Sequence, residues 1–379
     1  MIKVIRFLSS EAIENCIACL NYKIDAIDFY GYKNIIDEEK PNIKKFLNED
    51  CKLEEENINF YQIDDKELDE LTIYIRKHIN LDDINLIDMT GCEGICQIAL
   101  SNIAYEKVIP MHLHDVRKNI AYNIDDKLGN GILGIKKDIK KMNLDKYIKM
   151  VGGIINHEKH KSSKDDAFSK NSLNLSRVKN KYNKQWTAFG KIIQGCCTSK
   201  LLFKTNELSK RIKSNGNKIN SSIVNSILYD LKEYNLIKNC VINANGFEFS
   251  FVDNDVKECV CDPGTVLERD VYRQELKTQN NVAIACNLDW DGVIEENDFE
   301  DVYNEVDVLR LDGYVLTFIS CKDTKEISNM ALYELETVTR RFGGKYSKMK
   351  LVAGQNPSSH AIKRAKTIGI ELVKYESDL

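Results

Sequence analysis

Two acidic residues and a lysine occur at strand-like spacing near the end of the 379-residue chain. Residues 304–309 and 318–322 are predicted to form two strands joined by a turn at 311–313. Because side chains alternate along a strand, Glu305 and Asp307 share one face, and Ser320 and Lys322 share one face. Carboxylates can hold a divalent cation, and a nearby lysine can orient an attacking water and offset developing charge. The pattern predicts metal-dependent hydrolysis, with an ordinary amphipathic hairpin as the alternative.

Segments on both sides of this hairpin carry a family resemblance. Glu268 lies upstream in a predicted helix, and the hairpin is followed by the segment Arg-Arg-Phe-Gly-Gly-Lys-Tyr at 340–346. In this order, these segments resemble the PD-(D/E)xK nuclease domain of the CARF-domain nucleases of type III CRISPR defence, which are activated by cyclic oligoadenylate. The resemblance implies catalytic roles for Asp307, Lys322, Glu305 and Ser320. It also implies that Mn²⁺ or Mg²⁺ is held by Glu268, Asp307 and the backbone carbonyl of Cys321.

Ser320 is a departure from the family pattern, which has an acid two residues before the lysine. Serine offers a neutral oxygen, so the site loses one anionic ligand. Magnesium demands near-ideal octahedral geometry, whereas manganese binds the same ligand types more tightly. We therefore expect a single-metal site that works better with Mn²⁺ than with Mg²⁺.

The first 115 residues alternate predicted strands and helices, which is the rhythm of a doubly wound parallel sheet. In such sheets, ligands bind outside the carboxyl ends of the strands. Ser9-Ser10-Glu11 and Thr90-Gly91-Cys92-Glu93 both follow a strand and open a helix, so either loop can present backbone N–H groups to a phosphate. Neither loop has a Walker A or G-x-G-x-x-G pattern, which leaves nucleotide cofactors without support.

These two loops resemble the ligand loops of CARF domains, which dimerise and bind cyclic oligoadenylate, usually the tetramer in this family, across the two-fold axis. Alternation on the next strand places His112 and His114 on one face, where one of them can approach the ligand or both can be structural. The resemblance implies the following ligand-binding residues: Ser9, Ser10, Glu11, Thr90, Gly91, Cys92, Glu93 and His112. Where the family often has glycine, this chain has Cys92.

The middle of the chain is less informative. Helices are predicted at 184–194, 207–213 and 222–234, followed by a hairpin at 240–249, whereas 157–184 is polar and is expected to be mobile. Three helices and a hairpin suggest a winged-helix-like module, and a linker without a separate function is an equal alternative. The expected α/β organisation is an N-terminal Rossmann-like CARF domain at 1–125, this linker at 126–248, and a restriction-endonuclease-like mixed sheet at 249–379.

Charge and composition limit the possible classes of protein. The formal net charge is −4, but residues 156–218 contain 15 Lys and Arg against 4 Asp and Glu. This asymmetry suggests that the segment contacts nucleic acid, through residues such as Lys179, Lys181, Lys184, Lys210 and Arg211. The 12 cysteines lack a second ligand pair at zinc-finger spacing and are expected to be reduced thiols. No apolar run reaches membrane-span length and no signal peptide is apparent, so we expect a cytoplasmic protein.

Together these features and the family resemblance imply a homodimeric, metal-dependent endonuclease that is activated by cyclic oligoadenylate, with cyclic tetra-adenylate as the expected form, and that acts on single-stranded DNA or RNA. Two alternatives remain. The chain could be a CARF transcriptional regulator with an inert nuclease-like domain, which Ser320 favours slightly. Alternatively, the CARF pocket could itself cleave the cyclic ligand as a ring nuclease.

Overall fold

A computed structural model describes residues 1–64, 66–124, 142–156, 166–278, 281–293 and 302–376. Its main elements are two six-stranded sheets with a small three-stranded sheet between them in the chain. Among the described residues, no helix combines the length and apolar character needed to cross a bilayer.

The N-terminal sheet has the strand order β3-β2-β1-β4-β5-β6. Strands β1 to β5 run parallel and β6 is antiparallel to β5. The strands are β1 (Ile2–Phe7), β2 (Ala26–Gly31), β3 (Ile58–Gln62), β4 (Ile84–Asp88), β5 (Met111–Asp115) and β6 (Ile120–Ile124). The helices are α1 (Ala12–Asn21), α2 (Lys33–Glu49), α3 (Leu68–His78) and α4 (Gly94–Lys107).

Helices cover both faces of this sheet, as alternation along β1 requires. Val4 belongs to one core cluster with α1 and α2, whereas Ile5 and Phe7 belong to another with α3 and α4. In the sheet, β2 lies on one side of β1 and β4 lies on the other side. The strand order therefore reverses direction between β1 and β4, which is the topological switch point. The two predicted ligand loops follow these two strands.

The middle module has winged-helix topology. After α5 (Leu144–Met150) and β7 (Ile154–Ile155), the elements are α6 (Asp166–Lys181), α7 (Asn183–Gln194), β8 (Leu202–Thr205), α8 (Leu208–Ser214), α9 (Ser221–Glu233), β9 (Ile237–Asn243), β10 (Gly246–Phe251) and α10 (Asn254–Cys261). The run from α7 to β10 is helix, strand, two helices and two strands, and β8, β10 and β9 form an antiparallel sheet. Its core is a separate cluster that includes Trp186, Phe203 and Leu228.

Helix α6 corrects one expectation. The prediction that the 157–184 stretch is mobile is wrong for residues 166–181, which form a helix with Leu175 and Val178 buried. Residues 157–165 lie outside the described part of the chain.

The C-terminal sheet is mixed and has the order β15-β14-β13-β12-β11-β7. Three of its strands run parallel to one another, namely β13, β14 and β15. The other neighbouring pairs are antiparallel: β7 with β11, β11 with β12, and β12 with β13. The remaining elements are α11 (Pro263–Thr278), β11 (Val282–Asp289), β12 (Tyr303–Asp312), β13 (Val315–Lys322), α12 (Asn329–Gly343), β14 (Lys348–Ala353), α13 (Ser359–Ile368) and β15 (Glu371–Lys374). The prediction of a Rossmann-like sheet followed by a mixed sheet is confirmed, and the domain boundaries stay a prediction.

Apolar packing joins the two large sheets. One continuous core cluster contains buried residues of α1, α2, α5, β12, β13 and α12. Within it, Leu20 of α1 and Leu316 of β13 are both fully buried or nearly so. The Tyr314 hydroxyl, at the β12–β13 turn, donates a hydrogen bond to Asn21 Oδ1 at 3.0 Å. The N- and C-terminal domains therefore share one core in addition to the chain that links them.

Candidate functional sites

The β12–β13 hairpin determines which predicted catalytic residues meet. Its register pairs Val308 with Ile319 and Asp312 with Val315, so the turn lies at Gly313 and Tyr314, later than the predicted 311–313. Gly313 has φ +60°, a conformation that glycine adopts without strain. Extending the register by one step places Asp307 opposite Ser320.

Asp307 Oδ2 is contacted by three other groups of the hairpin. The Cys321 backbone N–H donates to it at 2.6 Å, and the Ser320 hydroxyl donates to it at 3.2 Å. The Lys322 ammonium lies 3.7 Å from the same oxygen, and its side chain is 38% exposed. The structure therefore brings three of the four predicted catalytic residues together around one carboxylate.

Glu268 approaches this group from α11. The helix packs across the hairpin through a core cluster that includes Leu267, Ile319 and Cys321. The pKa of Glu268 is raised to about 8, first by burial and then by the carboxylates of Asp307, Asp262 and Glu305, against the opposing effect of Lys322. Glu268 and Glu305 thus belong to one electrostatic cluster with Asp307.

A cavity of about 270 Å³ opens beside the hairpin, between it and α12. Glu305, Asp307, Ser320 and Lys322 line one wall. The other wall belongs to α12 and includes Ala331, Glu334, Leu335 and Val338. A water occupies about 30 Å³ of liquid, so the cavity has room for several waters or a small anionic group. The sequence did not single out Glu334, although its helical spacing from Ala331 and Val338 places the three on one face.

The carboxylate and carbonyl oxygens at this site are the ligand types that a hard divalent cation prefers. In the described part of the chain, no three His, Cys, Asp or Glu side chains are close enough to surround an ion. Burial and, after it, the nearby carboxylates raise the pKa of Glu268, and a cation would relieve the repulsion between these carboxylates. Complete burial raises the pKa of the Cys321 thiol well above its usual range, so the thiol stays protonated and only its backbone carbonyl can serve as a ligand. The residues fit an oxygen-ligand site completed by water.

A buried arginine ties the two N-terminal loops together. Arg6 and Asp88 form an ion pair of 2.6 Å, with both side chains fully buried. Arg6 also donates to the Thr90 carbonyl at 2.8 Å and to the Glu14 carbonyl. The Thr90 hydroxyl accepts the His114 backbone N–H at 2.8 Å. The loop after β4 is therefore fixed by β1 and β5.

The predicted ligand residues divide into buried and open ones. Ser9 is buried: its hydroxyl donates to Glu14, and its N–H donates to Asn15 Oδ1 at 2.9 Å. Thr90 is likewise buried, whereas Ser10 and Glu93 are exposed and the following residues are half-buried: Glu11, Gly91 and Cys92.

The two histidines differ in environment. His112 is fully buried, with Nδ1 at 3.1 Å from Asn123 Oδ1 and its ring edge-on to Tyr22. His114 also lies mostly below the surface but lines a cavity of about 520 Å³ beside Gly91, Cys92 and Glu93. The structure thus places His114, rather than His112, at the cavity.

Some of the cations expected to form a basic surface on the middle module have partners within the chain. Lys179 is buried in an ion pair of 2.6 Å with Asp323, so the prediction that it contacts nucleic acid is wrong. Lys181 pairs with Asp230 at 2.7 Å, and Lys210 pairs with Glu207 at 3.1 Å. Arg211 donates through Nε to Thr205 Oγ1 at 3.1 Å. Lys179 is therefore used inside the fold, whereas the ion pairs of Lys181 and Lys210 lie at the surface, where these lysines are 61% and 78% exposed.

No protein-family model matches the chain, and a search of curated proteins finds no match. Among solved structures, protein VC1899 from Vibrio cholerae superposes with a TM-score of 0.71 at 14% identity, over 98% of this chain and 94% of that one. Can2 from Sulfobacillus thermosulfidooxidans, solved in complex with cyclic tetra-adenylate, gives a TM-score of 0.67 at 15% identity, over 98% and 95%.

A type III CRISPR defence DNA nuclease activated by cyclic oligoadenylate gives a TM-score of 0.50 at 11% identity. The match covers 100% of this chain but 48% of that nuclease, so the chain spans about half its length. At these identities the likeness concerns architecture. The chain shares its fold with VC1899 and Can2 over nearly its whole length.

Proposed function

We propose that the chain is a metal-dependent endonuclease of type III CRISPR defence, activated by cyclic oligoadenylate and cleaving single-stranded DNA or RNA. The observation that carries the proposal is the convergence of Asp307, Ser320 and Lys322 beside the buried carboxyl of Glu268. The shared fold with Can2, which was solved with cyclic tetra-adenylate, supports the ligand class.

Each side chain has a role in phosphodiester hydrolysis. A bound Mn²⁺ or Mg²⁺ would supply Lewis-acid activation of the scissile phosphate, held by Asp307, Glu268 and the Cys321 carbonyl. Asp307 is kept in place by the Cys321 N–H and the Ser320 hydroxyl. Lys322 remains partly exposed to the cavity, where its ammonium can orient water and stabilise negative charge on the phosphate. Glu305 adds negative potential at the cavity wall.

The ligand would bind at the switch point of the N-terminal sheet, where two subunits would meet. Helix α4 exposes Ile98 and Tyr105, which are 51% and 88% accessible, and Val108 just after it is 57% accessible. Apolar side chains grouped in this way are typical of an interface between subunits. We therefore propose a homodimer that binds one cyclic tetra-adenylate.

The test combines the purified full chain with cyclic tetra-adenylate, Mn²⁺ and end-labelled single-stranded DNA or RNA. We expect ligand-dependent cleavage by the wild type, a loss of at least 100-fold in Lys322→Ala, and near-normal activity in Lys325→Ala, an exposed lysine three residues away. Ligand affinity should be unchanged in Lys322→Ala. Full activity in Lys322→Ala would show that the catalytic site lies elsewhere.

Winged-helix topology supports a second candidate function, duplex DNA binding. Helix α9 follows α8 as a recognition helix would, and its outward side carries Ser222, Asn225, Ser226 and Tyr229. A mobility-shift assay with duplex DNA, with and without the cyclic ligand, tests it. Binding that Tyr229→Ala abolishes, in a protein without cleavage activity, would favour a regulator over a nuclease.

A further inference from the structure

We infer that the cyclic oligoadenylate pocket is composite: Lys345 and Tyr346 of the C-terminal domain bind the ligand's phosphate and base together with Arg117. This inference rests on the ligand class of the proposed function. The cavity of about 520 Å³ at the switch point is walled by the β4–α4 loop on one side and by the turn after α12 on the other. Lys345 and Tyr346 form that turn.

Both domains contribute charged side chains to the cavity. Among the described residues that line it, the acids are Glu14, Glu93 and Asp115, and the cations are Arg117 and Lys345. The N-terminal domain by itself would therefore offer a phosphate three carboxylates and one guanidinium. A polyanionic ligand needs more positive charge than that, and Lys345 is placed to supply it.

Lys345 can reach a ligand without leaving its present position. Its ammonium lies 3.1 Å from Glu14 Oε1, and the side chain is 44% exposed. An ammonium has three N–H donors, so two remain for phosphate oxygens. Arg117 lies next to it and donates to the Lys345 carbonyl at 3.4 Å. The two cations can therefore act on neighbouring phosphate oxygens.

Aromatic rings at the same cavity suit an adenine base. The Tyr346 ring has Lys345 Nζ 5.3 Å and Arg117 Cζ 5.7 Å from its centroid. Tyr122 also lines the cavity and is 44% exposed. Base stacking on such rings contributes about 1–3 kcal/mol for each base, whatever the base.

Polar contacts fix the turn at 344–346 against the N-terminal loops. Glu14, 1% exposed, accepts hydrogen bonds from the hydroxyls of Tyr346 and Ser9. The Lys345 backbone N–H donates to Glu11 Oε1 at 3.0 Å. A Cβ added at Gly91 would lie 2.0 Å from Glu14 Oε2, so the carboxylate packs directly on the ligand loop. The cavity is therefore built from interlocking groups of both domains.

The test measures cyclic tetra-adenylate binding to the full chain by isothermal titration calorimetry, without metal or substrate. We expect Lys345→Met to weaken binding at least tenfold, Tyr346→Leu to weaken it several-fold, and Lys345→Arg to restore most of the affinity. Lys348→Met, which removes an exposed lysine on β14, should bind like the wild type.

The outcomes separate this inference from the proposed function. If the wild type binds no cyclic oligoadenylate, the proposed ligand class is wrong and the composite pocket is wrong with it. If the wild type binds while Lys345→Met and Tyr346→Leu bind equally well or better, only the composite pocket is overturned. Thermal melting of each variant identifies loss of folding, and the Lys345→Arg variant then decides, since its binding must resemble that of the wild type.

Discussion

Glu268 is the residue whose ionisation most directly reports on the hairpin site. Its pKa is raised from 4.5 to about 8 by burial and by neighbouring carboxylates. Between these values, the folded state keeps a proton that the unfolded state has released. The free energy of unfolding therefore falls as pH rises from about 4.5 to 8.

We expect Glu268→Gln to remove this pH dependence and to have the higher melting temperature at pH 8. Scanning calorimetry from pH 5 to 9 measures the melting temperatures of the wild type and the variant. The difference between the two proteins isolates Glu268, because burial also raises the pKa of Glu39, to about 7, in both of them. Added Mn²⁺ should stabilise the wild type at pH 8 more than it stabilises the variant. Parallel melting curves across this range would contradict the assignment.

Ser320 offers a second test at the scale of a residue. Its hydroxyl is 3.2 Å from Asp307 Oδ2, so a carboxylate introduced here would face the same site. We expect Ser320→Glu to bind Mn²⁺ and Mg²⁺ more tightly than the wild type and to narrow the preference for Mn²⁺ several-fold, because it adds an anionic ligand. Calorimetric metal titration checks this, with Ser320→Gln as the uncharged control. Equal affinities in both variants would mean that the metal is held elsewhere.

The sequence was sufficient to predict which hairpin residues meet, because strand alternation and a short turn are local properties. Asp307, Ser320 and Lys322 lie together for that reason. Lys345 could not be assigned in the same way to the cavity beside the β4–α4 loop, since more than 300 residues separate it from Glu14. Such a contact depends on how two domains pack.

At the scale of elements, helix α6 connects the middle module to the hairpin site. Lys179 pairs with Asp323, which directly follows Lys322, and their side chains are 9% and 11% exposed. Ser176, on the same helix, donates to Asp270 of α11, the helix that carries Glu268. The middle module thus supports both elements that build the hairpin site.

We expect Lys179→Met to destabilise the protein by about 3 kcal/mol, because it leaves the buried Asp323 carboxylate without its cation. The double variant Lys179→Met/Asp323→Asn should recover much of that loss. Lys184→Met, at an exposed lysine of α7, should leave stability unchanged. Urea denaturation measures all three. A double variant as unstable as Lys179→Met would show that the loss does not come from the unpaired Asp323 carboxylate.

The sequence did not predict helix α6, and the reason is physical. Its buried side is largely polar and includes Ser172, Asn174, Ser176 and Lys179, so the apolar periodicity that indicates a helix is weak. The polar groups are satisfied by partners far along the chain, such as Asp270. In contrast, α7, α8 and α9 bury apolar faces, and the sequence predicted each of them to within a residue or so at either end.

At the scale of the whole molecule, the shared core predicts how the domains unfold. The core that contains α1 also contains β12 and β13, whereas α9 belongs to a separate cluster. Truncating Leu316 or Leu228 to alanine should each cost about 2–5 kcal/mol. Only the destabilisation caused by Leu316→Ala should extend to the N-terminal domain.

Hydrogen exchange tests this prediction. Leu316→Ala should speed the exchange of amides in α1, on the N-terminal domain, as well as those in β13. Leu228→Ala should speed exchange in α8 and α9 and leave α1 unchanged. Equal effects of both variants on α1 would mean that the chain unfolds as one unit.

Helix α12 spans the distance between the two cavities. It has 15 residues, so its axis is about 22 Å long. Ala331 and Glu334 face the hairpin site near its start, and Lys345 follows its far end. If the helix moves as a rigid body, a displacement of about 2 Å at one end corresponds to a tilt of the helix axis of only about 5°. Misplacing catalytic groups by about 1 Å can cost a factor of 100 in rate. A nucleotide that draws Lys345 towards it could therefore change the hairpin cavity by a small rigid-body rotation, without any unfolding.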